Sequence, residues 1–152
     1  MMSANYITYD CAIRLVTWEG AVAAIREGHS LPKAQISDLF LGPKTATLLN
    51  RAAYIDGLGY GVKAVTVMDD NASKGLPTIQ GGMMVYDPLD GALSAIIDSK
   101  LVTELKTAAD SILGAQLLAR ADSKKLLIVG AGVVAQSLVA QLADLDVKLV
   151  VV

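Results

Sequence analysis

The residues best placed to do chemistry fall into two patterns. The first is Gly130-Ala131-Gly132-Val133-Val134-Ala135, a G-x-G-x-x-A run. It follows the apolar stretch Leu126–Val129 and precedes Gln136–Leu145, which has helical spacing. A strand, a tight turn and a helix are the setting in which such a run holds a dinucleotide. In that reading Gly130 makes the turn, Gly132 leaves the backbone bare for a pyrophosphate, and Ala135 lets the helix pack on the strand. The N–H groups of the first helical turn, at the positive end of the helix dipole, then face the phosphates. The same residues would also serve as a tight turn in an α/β domain that binds nothing.

The second pattern is lysine out of place. Lys63 lies inside Tyr60–Met68. With period-2 alternation, Gly61, Val65 and Val67 share its face, and Tyr60, Val62, Ala64, Thr66 and Met68 take the other. A strand apolar on both faces is buried, and a buried ammonium is costly unless paired. Such a lysine either snorkels to an edge or serves a site. Lys106 raises a similar question. With Thr103 as a helix N-cap, Lys106 takes the third helical position, where a capping box has Glu or Gln and a cation opposes the dipole. The alternative is a solvated lysine paired with Asp110 at i+4.

The elements that must position these residues follow from pattern and punctuation. Asp10–Leu15 reads as a short helix. A second helix starts after Thr17 as N-cap, buries Val22, Ala23 and Ile25, and stops at Gly28. His29 follows a helix end and reads as a capping or surface residue rather than a catalyst. From Lys33 to Asp98 the chain is extended, with candidate strands Ala34–Leu41, Thr45–Tyr54, Tyr60–Met68, Gly82–Tyr86 and Ala92–Ile97. Asp87-Pro88-Leu89-Asp90-Gly91 joins the last two as a hairpin. Short links between consecutive strands indicate an antiparallel or mixed sheet. Asp69-Asp70-Asn71 matches no cation loop and reads as a solvated turn. Val102–Arg120 is the longest helical pattern, with Leu105, Ala108, Ala109, Ile112 and Leu113 in one stripe. Val147–Val152 reads as a final strand. The fold class expected is α/β: an α+β front domain with a mixed sheet (1–101), a linking helix (102–122), and the start of a Rossmann domain (123–152).

Composition narrows the partners. The 152 residues carry a net charge of −2, which does not favour nucleic acid. No apolar run reaches the roughly 18 residues that span a bilayer, and the first ten residues do not read as a signal peptide. A single cysteine, Cys11, fits a reducing cytoplasm. A hydrophobic fraction of 53% without a membrane span implies surface that another subunit or further chain covers.

Four motifs occur in a telling order: Gly61-Val62-Lys63-Ala64-Val65-Thr66-Val67, then Gly75-Leu76-Pro77-Thr78-Ile79-Gln80-Gly81, then Val102-Thr103-Glu104-Leu105-Lys106-Thr107-Ala108-Ala109, then Gly130–Ala135. Together they resemble the ornithine cyclodeaminase/mu-crystallin family. The resemblance implies a substrate and dimerisation domain joined to a Rossmann domain that binds NAD or NADP, in a homodimer formed through the N-terminal sheet. It implies that Lys63 is an active-site lysine that contacts substrate and shuttles protons. Lys33 and Lys106 fall where the family usually has arginines, for the substrate carboxylate and, in an R-T-A-A motif continued here by Thr107, for substrate and cofactor. Thr78 and Gln80 fall in a segment that contacts the nicotinamide half. Lysine keeps the charge of arginine but loses its bidentate fork, which weakens the case for ornithine.

The chemistry implied is hydride transfer between an amino-acid α-carbon and the nicotinamide. It leads to cyclodeamination of ornithine to proline and ammonia, to reduction of a cyclic imine such as pyrroline-2-carboxylate, or to dehydrogenation of alanine. A mu-crystallin-like binding protein without catalysis is the competing reading. Lys33, Lys63 and Lys106 are expected to converge on one cleft facing the fingerprint. The catalytic aspartate and the ribose-binding acid of the family fall past the last residue. The isolated chain is therefore expected to be catalytically silent and prone to self-association along Val147–Val152.

Overall fold

The computed structural model describes residues 4–142 and 148–151. Among these, the residues up to Leu15 together with His29–Val102 form one compact unit. Val16–Gly28 together with the residues from Thr103 onward form a second.

The first unit is a six-stranded sheet. Its strands are β1 (Asn5–Ile7), β2 (Gln35–Leu41), β3 (Ala46–Ile55), β4 (Gly59–Met68), β5 (Ile79–Tyr86) and β6 (Leu93–Asp98), in the order β1-β6-β5-β4-β3-β2. β2 to β6 form an antiparallel meander, as their short links require, and β1 adds a parallel edge. The sheet is therefore mixed. β1 went unread because three residues carry no period of their own, and the free edge of β6 decides their conformation. The expected hairpin after β5 is present, closed by Asp87 N–H to the Ala92 carbonyl at 2.8 Å.

β5 begins three residues earlier than Gly82. Gly81 lies inside the strand, where two backbones meet. It has φ +149°, and a Cβ on it would overlap the Ala64 carbonyl oxygen and lie 2.8 Å from Val65 Cα. Gly81→Ala should therefore cost at least about 2 kcal/mol, read as a lower urea midpoint of the sheet. An unchanged midpoint would mean that the β4–β5 ladder yields more easily than this spacing allows.

The turn after β4 corrects an expectation. Asp69–Lys74 is a 3-10 helix, and Asn71 is buried rather than solvated. Its Nδ2 donates to the Pro77 carbonyl at 2.9 Å, and this bond pins the loop that leads into β5.

In the second unit, α2 (Trp18–Gly28), the part of α3 (Ser99–Leu118) from Thr103 onward, β7 (Lys125–Ile128), α4 (Val133–Leu142) and β8 (Lys148–Val151) are the described elements. The short helix α1 (Tyr9–Ala12) belongs to the first unit. β7 and β8 pair in parallel. Residues 143–145 of the expected last helix and both ends of the expected last strand lie outside the described residues. α3 buries Ala108, Ala109, Ile112 and Leu113, and each of the two larger side chains contributes roughly 1.5–3 kcal/mol. α2 is capped by Thr17, whose Oγ1 accepts from Gly20 N–H at 3.1 Å. It lays Trp18, Ala21, Val22 and Ile25 on that core. Ala23 is exposed, because i, i+3, i+4 spacing selects Ala21 instead.

Candidate functional site

Lys63 stands half-buried in the middle of β4. Strand pairing fixes its neighbours. Asp38 on β2 is opposite Arg51 on β3, Arg51 is opposite Lys63, and Lys63 is opposite Met83 on β5. Ile97 on β6 and Ile7 on β1 complete the line. Directly opposed residues share a face, so this row crosses the whole sheet on one side. Arg51 binds Asp38 by two hydrogen bonds, Nε to Oδ1 at 2.7 Å and Nη2 to Oδ2 at 2.6 Å. The guanidinium's hydrogen bonds hold the Asp38 carboxyl below the usual carboxylate range. A lowered acid keeps the pair intact at neutral pH. Its support for the fold is lost only as pH falls through that lowered value.

Sequence reasoning missed Asp38 and Arg51. The signal that marked Lys63, a charge inside an apolar strand, was present at both. Lys33 is exposed and lies two residues before β2, five residues from Asp38 along the chain. The sheet register thus sets Arg51, not Lys33, beside Lys63. Gln80, second in β5, stands opposite Thr66 on the face away from Lys63, and the Thr78 carbonyl accepts from Met68 N–H at 2.8 Å.

Lys106 and Thr107 belong to the second unit. α3 begins at Ser99, and Asp98 Oδ1 caps it by accepting from Lys100 N–H at 2.8 Å. Lys106 is therefore two turns into the helix, and the expected conflict with the dipole at a Thr103 cap does not arise. Lys106 Nζ pairs with Asp110 Oδ2 at 2.5 Å, the i+4 alternative, an exposed pair contributing about 0.3–0.5 kcal/mol. Two residues earlier, Glu104 Oε1 accepts from Ser137 Oγ at 3.1 Å, which ties α3 to α4.

The fingerprint has the geometry its spacing implies. Gly130 follows β7 with φ +105°, a left-handed value that favours glycine. α4 starts at Val133, and Gln136 N–H closes the first helical bond onto the Gly132 carbonyl at 3.0 Å. The N–H groups of Val133, Val134 and Ala135 precede that bond and have no acceptor within the helix. A Cβ on Gly130 or Gly132 would meet nothing within 4 Å. Gly130, Ala131 and Gly132 are exposed. Bare backbone leading into a helix N-terminus fits a pyrophosphate.

A separate cavity of ≈ 590 Å³ opens on the other face of the sheet, against Ser37, Ala52, Tyr54, Tyr60, Val62 and Tyr86. Alternation puts these side chains opposite to Lys63. The Tyr54 and Tyr60 rings stack with centroids 4.7 Å apart. Tyr54 Oη donates to Asp56 at 3.2 Å, and that carboxylate pushes the phenol's ionisation up.

The sequence profile of the ornithine cyclodeaminase/mu-crystallin family matches residues 46–151. The chain belongs to this family. Among its family relatives, Delta(1)-pyrroline-2-carboxylate reductase of Paracoccus denitrificans is 61% identical over 135 residues, covering 89% of this chain and 43% of that protein. Ketimine reductase mu-crystallin of Mus musculus is 36% identical over 75 residues, 49% of this chain and 24% of that protein. Of solved structures, Thermococcus litoralis Delta(1)-pyrroline-2-carboxylate reductase in complex with NADH and L-proline superposes with TM-score 0.83 at 24% identity, covering 97% of this chain and 48% of that one. The probable ornithine cyclodeaminase from Bordetella pertussis Tohama I gives 0.80 at 25% identity, covering 99% and 48%. The chain thus spans half the length or less of these relatives. The α/β fold with a mixed sheet is the family's.

Proposed function

We propose that this chain carries the imino-acid and nicotinamide sites of a reductase acting on a cyclic imine with an α-carboxylate, pyrroline-2-carboxylate foremost. One observation carries the choice of reaction: the 61% identity, over 89% of the chain, to a protein named for that activity. The site residues support it. Lys63 lies in a cationic row on the sheet, and Gly130–Ala135 offers bare backbone and free N–H groups to a dinucleotide. NAD or NADP, when bound there, supplies or accepts the hydride.

In this reading Lys63 sets positive charge against the substrate carboxylate and holds a proton for the ring nitrogen. The imine carbon gains hydride, the nitrogen gains that proton, and C=N becomes C–N, giving proline. Lys33 adds a longer-range charge for the carboxylate. Lys106, Thr107 and Thr78 serve the cofactor side; Gln80, on the face away from Lys63, is set aside. Ornithine cyclodeamination uses the same hydride step in reverse. It is the second choice because the 61% identity is to a protein named for the reductase reaction.

The partner is a second copy, docked through the face opposite Lys63. Leu39, Leu41, Leu48 and Tyr60 lie on that face and are 36–52% exposed, an apolar surface of the kind that subunits cover. Among the described residues no helix is long and apolar enough to cross a membrane, and exposed free Cys11 fits a reducing cytoplasm.

Protein expressed from its complete reading frame should oxidise NADH or NADPH when given pyrroline-2-carboxylate, and turn over ornithine at least about 100-fold less well by kcat/KM. NAD(P)H binding without turnover on either would favour the binding-protein reading instead.

A further inference from the structure

Two cations face each other at the middle of the sheet. Arg51 and Lys63 are register partners in a ten-residue ladder. Like charges directly opposed on one face disfavour strand pairing. Asp38 pairs with Arg51, so the charged part of the row holds one carboxylate and two cations.

The way Asp38 is bound matters. It takes Nε and Nη2 of Arg51, the side-on fork of the guanidinium. A guanidinium has five N–H donors and a second, end-on fork made by Nη1 and Nη2. Nη2 is common to both forks, but its second N–H and those of Nη1 lie outside the Asp38 pair, and the Arg51 side chain is 57% exposed. Asp38 thus fixes the plane of a group whose other fork can accept a second carboxylate, next to Lys63. Lysine stands at both positions, 33 and 106, where the family resemblance puts an arginine for this job. Arg51 offers such a fork from β3.

We propose that Arg51, oriented by Asp38, grips the ligand's α-carboxylate beside Lys63 and sets the preference for carboxylated ligands. The proposal rests on the reading of Lys63 as the lysine of the substrate site.

The test compares two rings of the same size, pyrroline-2-carboxylate and 1-pyrroline, which lacks the carboxylate. In full-length protein Arg51→Gln should lower kcat/KM for the first by at least about 30-fold through KM, leaving the second and NADH affinity within about threefold. Arg51→Lys, which keeps the charge but not the fork, should show a smaller loss in the same direction, and it serves if the glutamine variant does not fold. Asp38→Asn should raise KM for the carboxylated ring alone, with Asp38→Glu restoring part of it. An unchanged ratio between the two rings in Arg51→Lys or Arg51→Gln overturns the proposal. If wild-type protein reduces neither ring, the proposed function fails, and Arg51 is decided by the ¹⁵N resonance of its Nε–H during titration with L-proline, L-alanine and pyruvate. A shift with any of these, absent with pyrrolidine, supports the carboxylate site, and no shift with all three overturns it.

Discussion

Lys63→Ala should lower kcat for reduction of pyrroline-2-carboxylate by about 10²–10⁴-fold in full-length protein, whereas Lys33→Ala should cost about tenfold or less. The difference comes from where the two ammonium groups stand. Lys63 is half-buried mid-strand, with Arg51 and Met83 in register on either side. A group held there can present charge and a proton at a fixed position. Lys33 is exposed ahead of β2, and its charge is screened by solvent. Alanine at 63 also removes one of two opposed cations, so the sheet should keep its circular dichroism. Equal losses at the two positions, or near-wild-type turnover in Lys63→Ala, would remove Lys63 from the centre of the reaction.

Gly132→Val should weaken NADH and NADPH binding by about 100-fold or more, equivalent to about 2.7 kcal/mol, with little loss of stability. The protein itself has room, since nothing lies within 4 Å of a Cβ at this position and its φ is not left-handed. The added methyl groups occupy the space a pyrophosphate needs against the backbone. Gly130→Val is the contrast. There φ is +105°, so the same side chain strains the turn and should cost stability as well as affinity. Fluorescence titration and thermal melts of both variants separate the two effects. Unchanged cofactor affinity in Gly132→Val would mean that the dinucleotide does not approach this turn.

Much of this was legible in the sequence, because the informative residues act locally. The fingerprint needs only its own strand and helix. The antiparallel strands carry their period and their turn residues with them. What escaped depended on distant chain. β1 is a strand because β6 has an edge to offer. Asn71 is buried because Pro77 supplies a carbonyl. β5 starts before Gly82 and takes in Gly81, whose reason, the backbone of Ala64 and Val65, lies on another strand. Arg51 and Asp38 form a pair only once register is known, and a slip of one residue would put them on opposite faces.

The membership of α2 has a consequence for synthesis. This helix precedes β2 to β6 in sequence, yet it packs in the second unit, with Arg26 donating to Gln116 at 3.2 Å across 90 residues. At ribosomal speed those residues take roughly 5–20 s to appear. Through that interval Trp18, Val22 and Ile25 have no core to join, while the meander of β2 to β6 can close behind them. The nascent chain therefore offers an amphipathic helix of 11 residues as a transient target for chaperones. A cut in the loop after Gly28 separates the dinucleotide unit from one of its own walls.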